Sequence, residues 1–149
     1  LLPEYGLSFD ICIDHRHLAN TLTFVAQIPE VPMILDHIGK PDIKGGVMQP
    51  WASQMRELAK FPNVTCKISG VATEADHRHW TPEQLKPYIE HALEVFGFDR
   101  VMFGGDWPVS TQAIQYPTWI EILDGILAGV AESERNKFWR ENARRIYRI

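Results

Sequence analysis

Four apolar runs, each followed by an apolar stripe at helical spacing, constrain this 149-residue chain more than any other feature. The runs are Leu7 to Ile13, Val31 to Ile38, Val64 to Val71 and Arg100 to Asp106. After the first, Leu18, Leu22 and Val25 recur at i, i+4 and i+7, and after the second, Pro50 opens a stripe of Trp51, Met55, Leu58 and Ala59. The third helix is best marked: Thr81-Pro82-Glu83-Gln84 is a capping-box pattern with proline at the first helical position. Its stripe of Leu85, Ile89, Ala92, Leu93 and Phe96 stops at Gly97. A fourth stripe holds Trp119, Ile122, Leu123, Ile126 and Leu127. A closing segment holds Phe138, Trp139, Ile146 and Tyr147, with Asn142 expected to cap its last turns. Strand and helix in alternation predict parallel strands joined by crossover helices, in one domain over residues 1–149.

Composition narrows the class of partner. With 15 basic and 19 acidic residues the net charge is −4, which gives no electrostatic reason to expect nucleic acid or an anionic membrane, and points to a small-molecule partner. No uninterrupted apolar segment is long enough to span a bilayer, and Leu-Leu-Pro-Glu-Tyr-Gly at the start has no basic region ahead of an apolar one. Cys12 and Cys66 each sit in an apolar run, so two buried reduced thiols are expected, which leans to a cytoplasmic location. The chain has no initiator methionine and enters a strand pattern within a few residues, so a piece of a larger protein is expected.

The chemistry gathers where the runs end. Val101-Met102-Phe103-Gly104-Gly105-Asp106-Trp107-Pro108 drives an apolar strand through two glycines into one carboxylate, and Pro108 cannot continue a sheet ladder. Val31 to Pro41 similarly ends in Asp36-His37, then Gly39 and Pro41. If the strands are parallel, His37 and Asp106 open onto the same end of the fold, where parallel α/β proteins bind ligands. Strand alternation would send Asp36 and His37 to opposite faces; His37 is assigned to the interior and Asp36 to anchoring nearby backbone. No glycine-rich phosphate fingerprint follows the first run. Asp10, His37, Lys67 and Asp106 place one polar group within or at the end of each run, which favours part of a barrel over a small open sheet.

The blocks Ile34-Leu35-Asp36-His37-Ile38-Gly39-Lys40-Pro41, Cys66-Lys67-Ile68-Ser69-Gly70-Val71, Arg100 to Val109 and Glu141-Asn142-Ala143-Arg144-Arg145-Ile146-Tyr147 follow in order. Together they resemble the amidohydrolase-related family of metal-dependent hydrolases, and within it the sugar-acid lactonases acting on fuconolactone or rhamnonolactone. The resemblance implies the C-terminal half of a (βα)8 TIM barrel, with four parallel strands each followed by a helix. It implies a hydrolase opening a sugar lactone, with Asp106 and His37 as catalytic residues and as ligands of a divalent metal, zinc first. Such enzymes carry a His-x-His pair on their first strand, and nothing before Leu7 can be that pair, so the implied metal site is incomplete in this chain.

Each residue also has a plainer reading. Asp106 either accepts the proton of an attacking water or hydrogen-bonds amides of its own turn; His37 either ligates a metal, donates to a carbonyl oxygen, or is structural. Lys67, mid-strand, needs a partner, which is either Asp10 or a substrate oxygen, the ion pair being favoured. Trp107 is either a wall for the apolar face of a sugar or a plug of the rim. His15-Arg16-His17 copies the spacing of a metal pair, but it follows the wrong strand for that role. His77-Arg78-His79 either touches substrate or is a solvated loop, the loop being favoured, and His91 reads as a surface residue.

Two other readings compete with the lactonase. One is a metal-dependent decarboxylase on the same barrel. The other is a noncatalytic assembly module: strands of about six residues would leave roughly 350 Å² of barrel-facing sheet bare, worth about 9 kcal/mol at 25 cal/mol/Å². That surface leads to the expectation that the chain pairs with a second copy or with the rest of a barrel.

Overall fold

A computed structural model describes all residues, 1–149. Its sheet has the order β1 (Phe9–Ile11), β2 (Met33–Leu35), β3 (Val64–Ile68), β4 (Val101–Phe103), and every neighbouring pair is parallel. The connections carry α1 (Leu18–Gln27), α2 (Trp51–Leu58) and α3 (Pro82–Phe96); α4 (Tyr116–Ile126), α5 (Glu132–Asn136) and α6 (Asn142–Tyr147) follow β4. None of these helices is long and apolar enough to cross a membrane. The strands come out shorter than the apolar runs because regular pairing stops where the chain turns toward the site. Nowhere is this clearer than after Leu35, where His37, Ile38, Gly39 and Lys40 all take positive φ.

One face of the sheet and the inner stripes of the helices form a single core. Ile11, Met33, Leu35, Val64, Cys66, Ile68 and Val101 belong to it, packed with Leu18 and Val25 of α1, Trp51 and Met55 of α2, and Leu85, Ile89 and Ala92 of α3. A fully buried Leu or Ile contributes about 1.5–3 kcal/mol through removal of apolar surface from water, so this stripe-on-sheet packing dominates the stability. The capping box at Thr81 forms as its sequence predicts, Gln84 Oε1 accepting from the Thr81 amide at 3.0 Å, and Gly97 ends α3 at φ 66.

The alternate positions Asp10, Ile34, Thr65, Lys67 and Met102 line the opposite face. A bare apolar surface was expected there, and it is not found. The strands are only three to five residues long, much of the face is polar, and Ile34 and Met102 are fully buried. The C-terminal segment reaches this side of the molecule, where Tyr147 donates to Asp10 Oδ2 at 2.9 Å and its ring lies 5.4 Å from the Lys67 ammonium.

Three local expectations fail. Asn142 does not cap α6; its side-chain amide donates to the carbonyls of Phe98 and Val101, each at 2.7 Å. Because Cys66 N–H binds the Arg100 carbonyl, the Val101 carbonyl points off the other edge of β4, and Asn142 satisfies it there. Cys66 is buried, but Cys12 lies just past β1 and is exposed, so only one of the two thiols is a core residue. His91 is not a surface residue: its ring packs on Trp51 and its Nε2–H donates to the Ala52 carbonyl at 2.8 Å, joining α2 to α3.

Candidate active site

Three strand ends converge on one spot. His37 leaves β2 in a left-handed turn at φ 55, which swings its imidazole back over the ends of β3 and β4. Ser69 and Gly70 follow β3, and the fully buried Ser69 Oγ lies 2.9 Å from His37 Nδ1. Gly104 and Gly105 follow β4 and deliver Asp106, itself at φ 50, with Oδ1 3.7 Å from His37 Nε2. Non-glycine residues pay for such left-handed conformations, about 1–2 kcal/mol each. Their clustering at His37 and Asp106 marks a spot where the surrounding fold imposes the geometry.

Glycine is required at two of these positions. A β-carbon on Gly70 would lie 2.7 Å from His37 Nδ1 and 2.8 Å from Asp106 Oδ2, and one on Gly104 would lie 2.7 Å from the Ser69 β-carbon. The small residues therefore let the histidine and the carboxylate approach each other. The carbonyl of Gly104 is held by Trp119 Nε1–H at 3.0 Å, which ties the exit of β4 to α4.

The electrostatics beneath the pair are set by Lys67. Its ammonium sits 2.6 Å from Asp36 Oδ1 and 3.0 Å from Asp10 Oδ2. Burial works against its charge, but hydrogen bonds with Asp36, Tyr147 and Asp10 outweigh burial and hold it above the usual lysine range. His37 moves the other way. Burial lowers its pKa below 6.5, and Lys40 and Lys67 add to this, while Asp106 and Asp36 oppose it. The imidazole is thus neutral at pH 7. If Ser69 O–H donates to Nδ1, Nε2 carries the proton and can donate to a carbonyl oxygen; if Nδ1–H donates to Ser69, Nε2 is free to accept a proton or a metal.

The structure brings His37 and Asp106 together. Lys67 lies one layer below them with the Asp10 partner expected from sequence, and Trp107 projects from the rim, 74% exposed. Asp36 does not anchor backbone as expected: regular strand structure ends at Leu35, so alternation no longer applies, and its carboxylate pairs with Lys67. His15 and His17 are held in a short turn, by contacts with the Lys40 carbonyl at 2.9 Å and Asp14 Oδ1 at 3.1 Å. His77 and His79 lie in an exposed loop against Thr73 and Asp76.

Ser69, Gly70 and Cys12 are not assigned to the site by the sequence. Ser-Gly directly after an apolar run was the available signal for the first two. Cys12 gave none, since its run read as core.

The residues present suit a borderline metal ion. His37 Nε2 and Asp106 Oδ1, 3.7 Å apart, are spaced much as two ligands at about 2.0–2.2 Å from one zinc would be, and Ser69 holds the far nitrogen as outer-shell partners do. A second grouping, Cys12, Asp36 and His37, has its ligand atoms within 4.8 Å of one another.

Comparison with known proteins shows the family and the fold. A family model described as Amidohydrolase matches residues 1–149. An L-fucono-1,5-lactonase of Burkholderia ambifaria is 36% identical over 97% of this chain and 51% of its own length. One from Burkholderia multivorans is 33% identical over 95% and 51%. A crystal structure of an amidohydrolase from Burkholderia multivorans with bound Zn superposes with a TM-score of 0.95 at 31% identity, over 99% of this chain and 55% of that one. The chain spans about half the length of the relatives it matches, and its four parallel βα units correspond to half of their barrel.

Proposed function

This chain belongs to the amidohydrolase family, and from that premise we propose that the whole protein is a hydrolase that opens a sugar-acid lactone. The observation that carries the reading is the approach of His37 Nε2 to Asp106 Oδ1 at 3.7 Å, beside Gly70, where a side chain would collide with both groups. The lactonase names of similar proteins support the substrate class.

Asp106 accepts a proton from water as the water oxygen bonds the lactone carbonyl carbon. General-base catalysis of this kind contributes about 10²–10⁴-fold. Neutral His37, steadied by Ser69, donates from Nε2 to the carbonyl oxygen as it gains negative charge. The ring C–O bond then breaks, and the leaving oxygen takes the proton back from Asp106, giving the open hydroxy acid. Where a divalent ion, zinc first, takes the place of that donated hydrogen bond, it would be held by the unprotonated His37 Nε2 and Asp106 together with ligands outside this chain, and would supply Lewis-acid polarisation of the carbonyl instead. Trp107 offers an exposed apolar wall for one face of the sugar. Lys67, already paired with Asp10 and Asp36, acts mainly by fixing Asp36 near His37.

The deciding experiment is Asp106→Asn in the full-length protein, assayed on aldonolactones with product acid and carbon dioxide both measured. Loss of turnover with binding kept supports the assignment; undiminished turnover removes it, and release of carbon dioxide selects the decarboxylase.

An assembly role for this half draws support from β1. It is an edge strand, and Leu7, Phe9 and Phe24 beside it are 53%, 41% and 41% exposed, the two rings 6.0 Å apart. The proposal is that the rest of a barrel, or a second copy, covers this edge. A folded monomer of residues 1–149 in light scattering would overturn it.

A further inference from the structure

The register of β1 with β2 places a thiol beside the proposed catalytic histidine. Ile11 pairs with Leu35, so the next residues out, Cys12 and Asp36, leave the two strands side by side, and His37 follows immediately. The ligand atoms of all three lie within 4.8 Å of one another. Cys12 is exposed, and it lines a cavity of about 470 Å³ shared with Ile13, Asp14, His17, Lys40 and Glu74, so an ion has an open route to its sulfur. The other cysteine, Cys66, is fully buried on the helix side of the sheet and cannot take part.

We propose that Cys12, Asp36 and His37 form a binding site for soft divalent cations, Cd²⁺ first, distinct from the His37 and Asp106 pair and competing with it for the same imidazole. The donor set is one sulfur, one carboxylate oxygen and one neutral imidazole nitrogen, which suits borderline and soft ions and is poorly matched to Mg²⁺ or Ca²⁺. On binding, the thiol proton leaves to solvent and a metal–sulfur bond forms with no change of oxidation state. Binding would require the sulfur to come within about 2.3 Å of the ion. Lys67, 2.6 Å from Asp36, opposes an incoming cation. The site therefore favours ions whose bond to sulfur is strong enough to offset that repulsion. An ion there draws His37 away from Asp106 and inhibits the protein, so the site is inhibitory.

The test is titration of the intact protein with Cd²⁺ alone, following the ultraviolet sulfur-to-metal charge-transfer absorption. The expected result is a saturable band at one equivalent, abolished in Cys12→Ser, unchanged in Cys66→Ala, and shifted at least tenfold to weaker affinity in His37→Ala, with circular dichroism showing each variant folded. A band that survives Cys12→Ser, or an affinity indifferent to His37→Ala, would overturn the site. Should Cys12→Ser fail to fold, covalent blocking of Cys12 on the native protein gives the same comparison. This readout is independent of lactone hydrolysis. Cd²⁺ inhibition that Cys12→Ser relieves would then tie the site to the reaction proposed above.

Discussion

Gly70 backs directly onto His37: a β-carbon at residue 70 would stand 2.7 Å from the imidazole Nδ1, and the glycine φ of +57 is one that side chains rarely adopt. Two independent constraints, space and backbone conformation, thus meet at one residue.

Gly70→Ala is accordingly expected to lose about 1–2 kcal/mol of stability from the left-handed backbone alone. It should also push His37 and Asp106 apart, so activity should fall by more than the stability loss accounts for. Thermal unfolding and kcat/KM measured side by side check this; an active, fully stable variant would contradict the packing described.

Ser69→Ala removes the partner of His37 Nδ1 from a fully buried position. A single hydrogen bond of this kind is worth about 0.5–1.5 kcal/mol, so folding should survive. With the ring no longer oriented, kcat should drop roughly tenfold, on the scale of about 1.4 kcal/mol in the barrier, while KM changes little.

Lys67→Met strands Asp36 and Asp10 without their cation. Breaking a buried pair costs about 3–5 kcal/mol, and because Asp10 is 37% exposed the lower end applies. Adding Asp36→Asn should recover part of the loss, so the double variant is expected to be more stable than Lys67→Met alone in urea unfolding. Additive losses would show that the pair contributes nothing.

The two thiols should separate cleanly under a thiol reagent. Exposed Cys12 should label in the native protein, whereas Cys66, buried with its pKa pushed up by desolvation, should label only on unfolding. Counting labelled thiols before and after denaturation reads this directly.

Glu74 supplies a pH signature. Burial, assisted by Asp14 and Asp106, raises its pKa above 4.5, against the pull of Lys40 and His15. The folded state therefore holds this proton more tightly than the unfolded state. Its charge destabilises the fold above the folded pKa, and that penalty vanishes as pH falls to 4.5. Glu74→Gln should be more stable than the parent at pH 7, with the difference shrinking to nothing below pH 4.5 in thermal melts.

Much of this protein was determined by its sequence alone. The four parallel strands, the helix stripes, the capping box at Thr81 and the convergence of His37 and Asp106 all follow from local periodicity and from the rule that parallel strands end together. What only the tertiary structure decided lies at the strand ends. The left-handed turn from His37 to Lys40, the pairing of Asp36 with Lys67, the seat of Ser69 under the imidazole and the exposure of Cys12 all depend on which residue of one strand lies beside which residue of the next. Hydrophobic pattern sets which face a side chain takes within a regular strand. Beyond the last ladder hydrogen bond, contacts across the sheet take over, and these join residues about thirty or more apart in sequence that no local pattern connects.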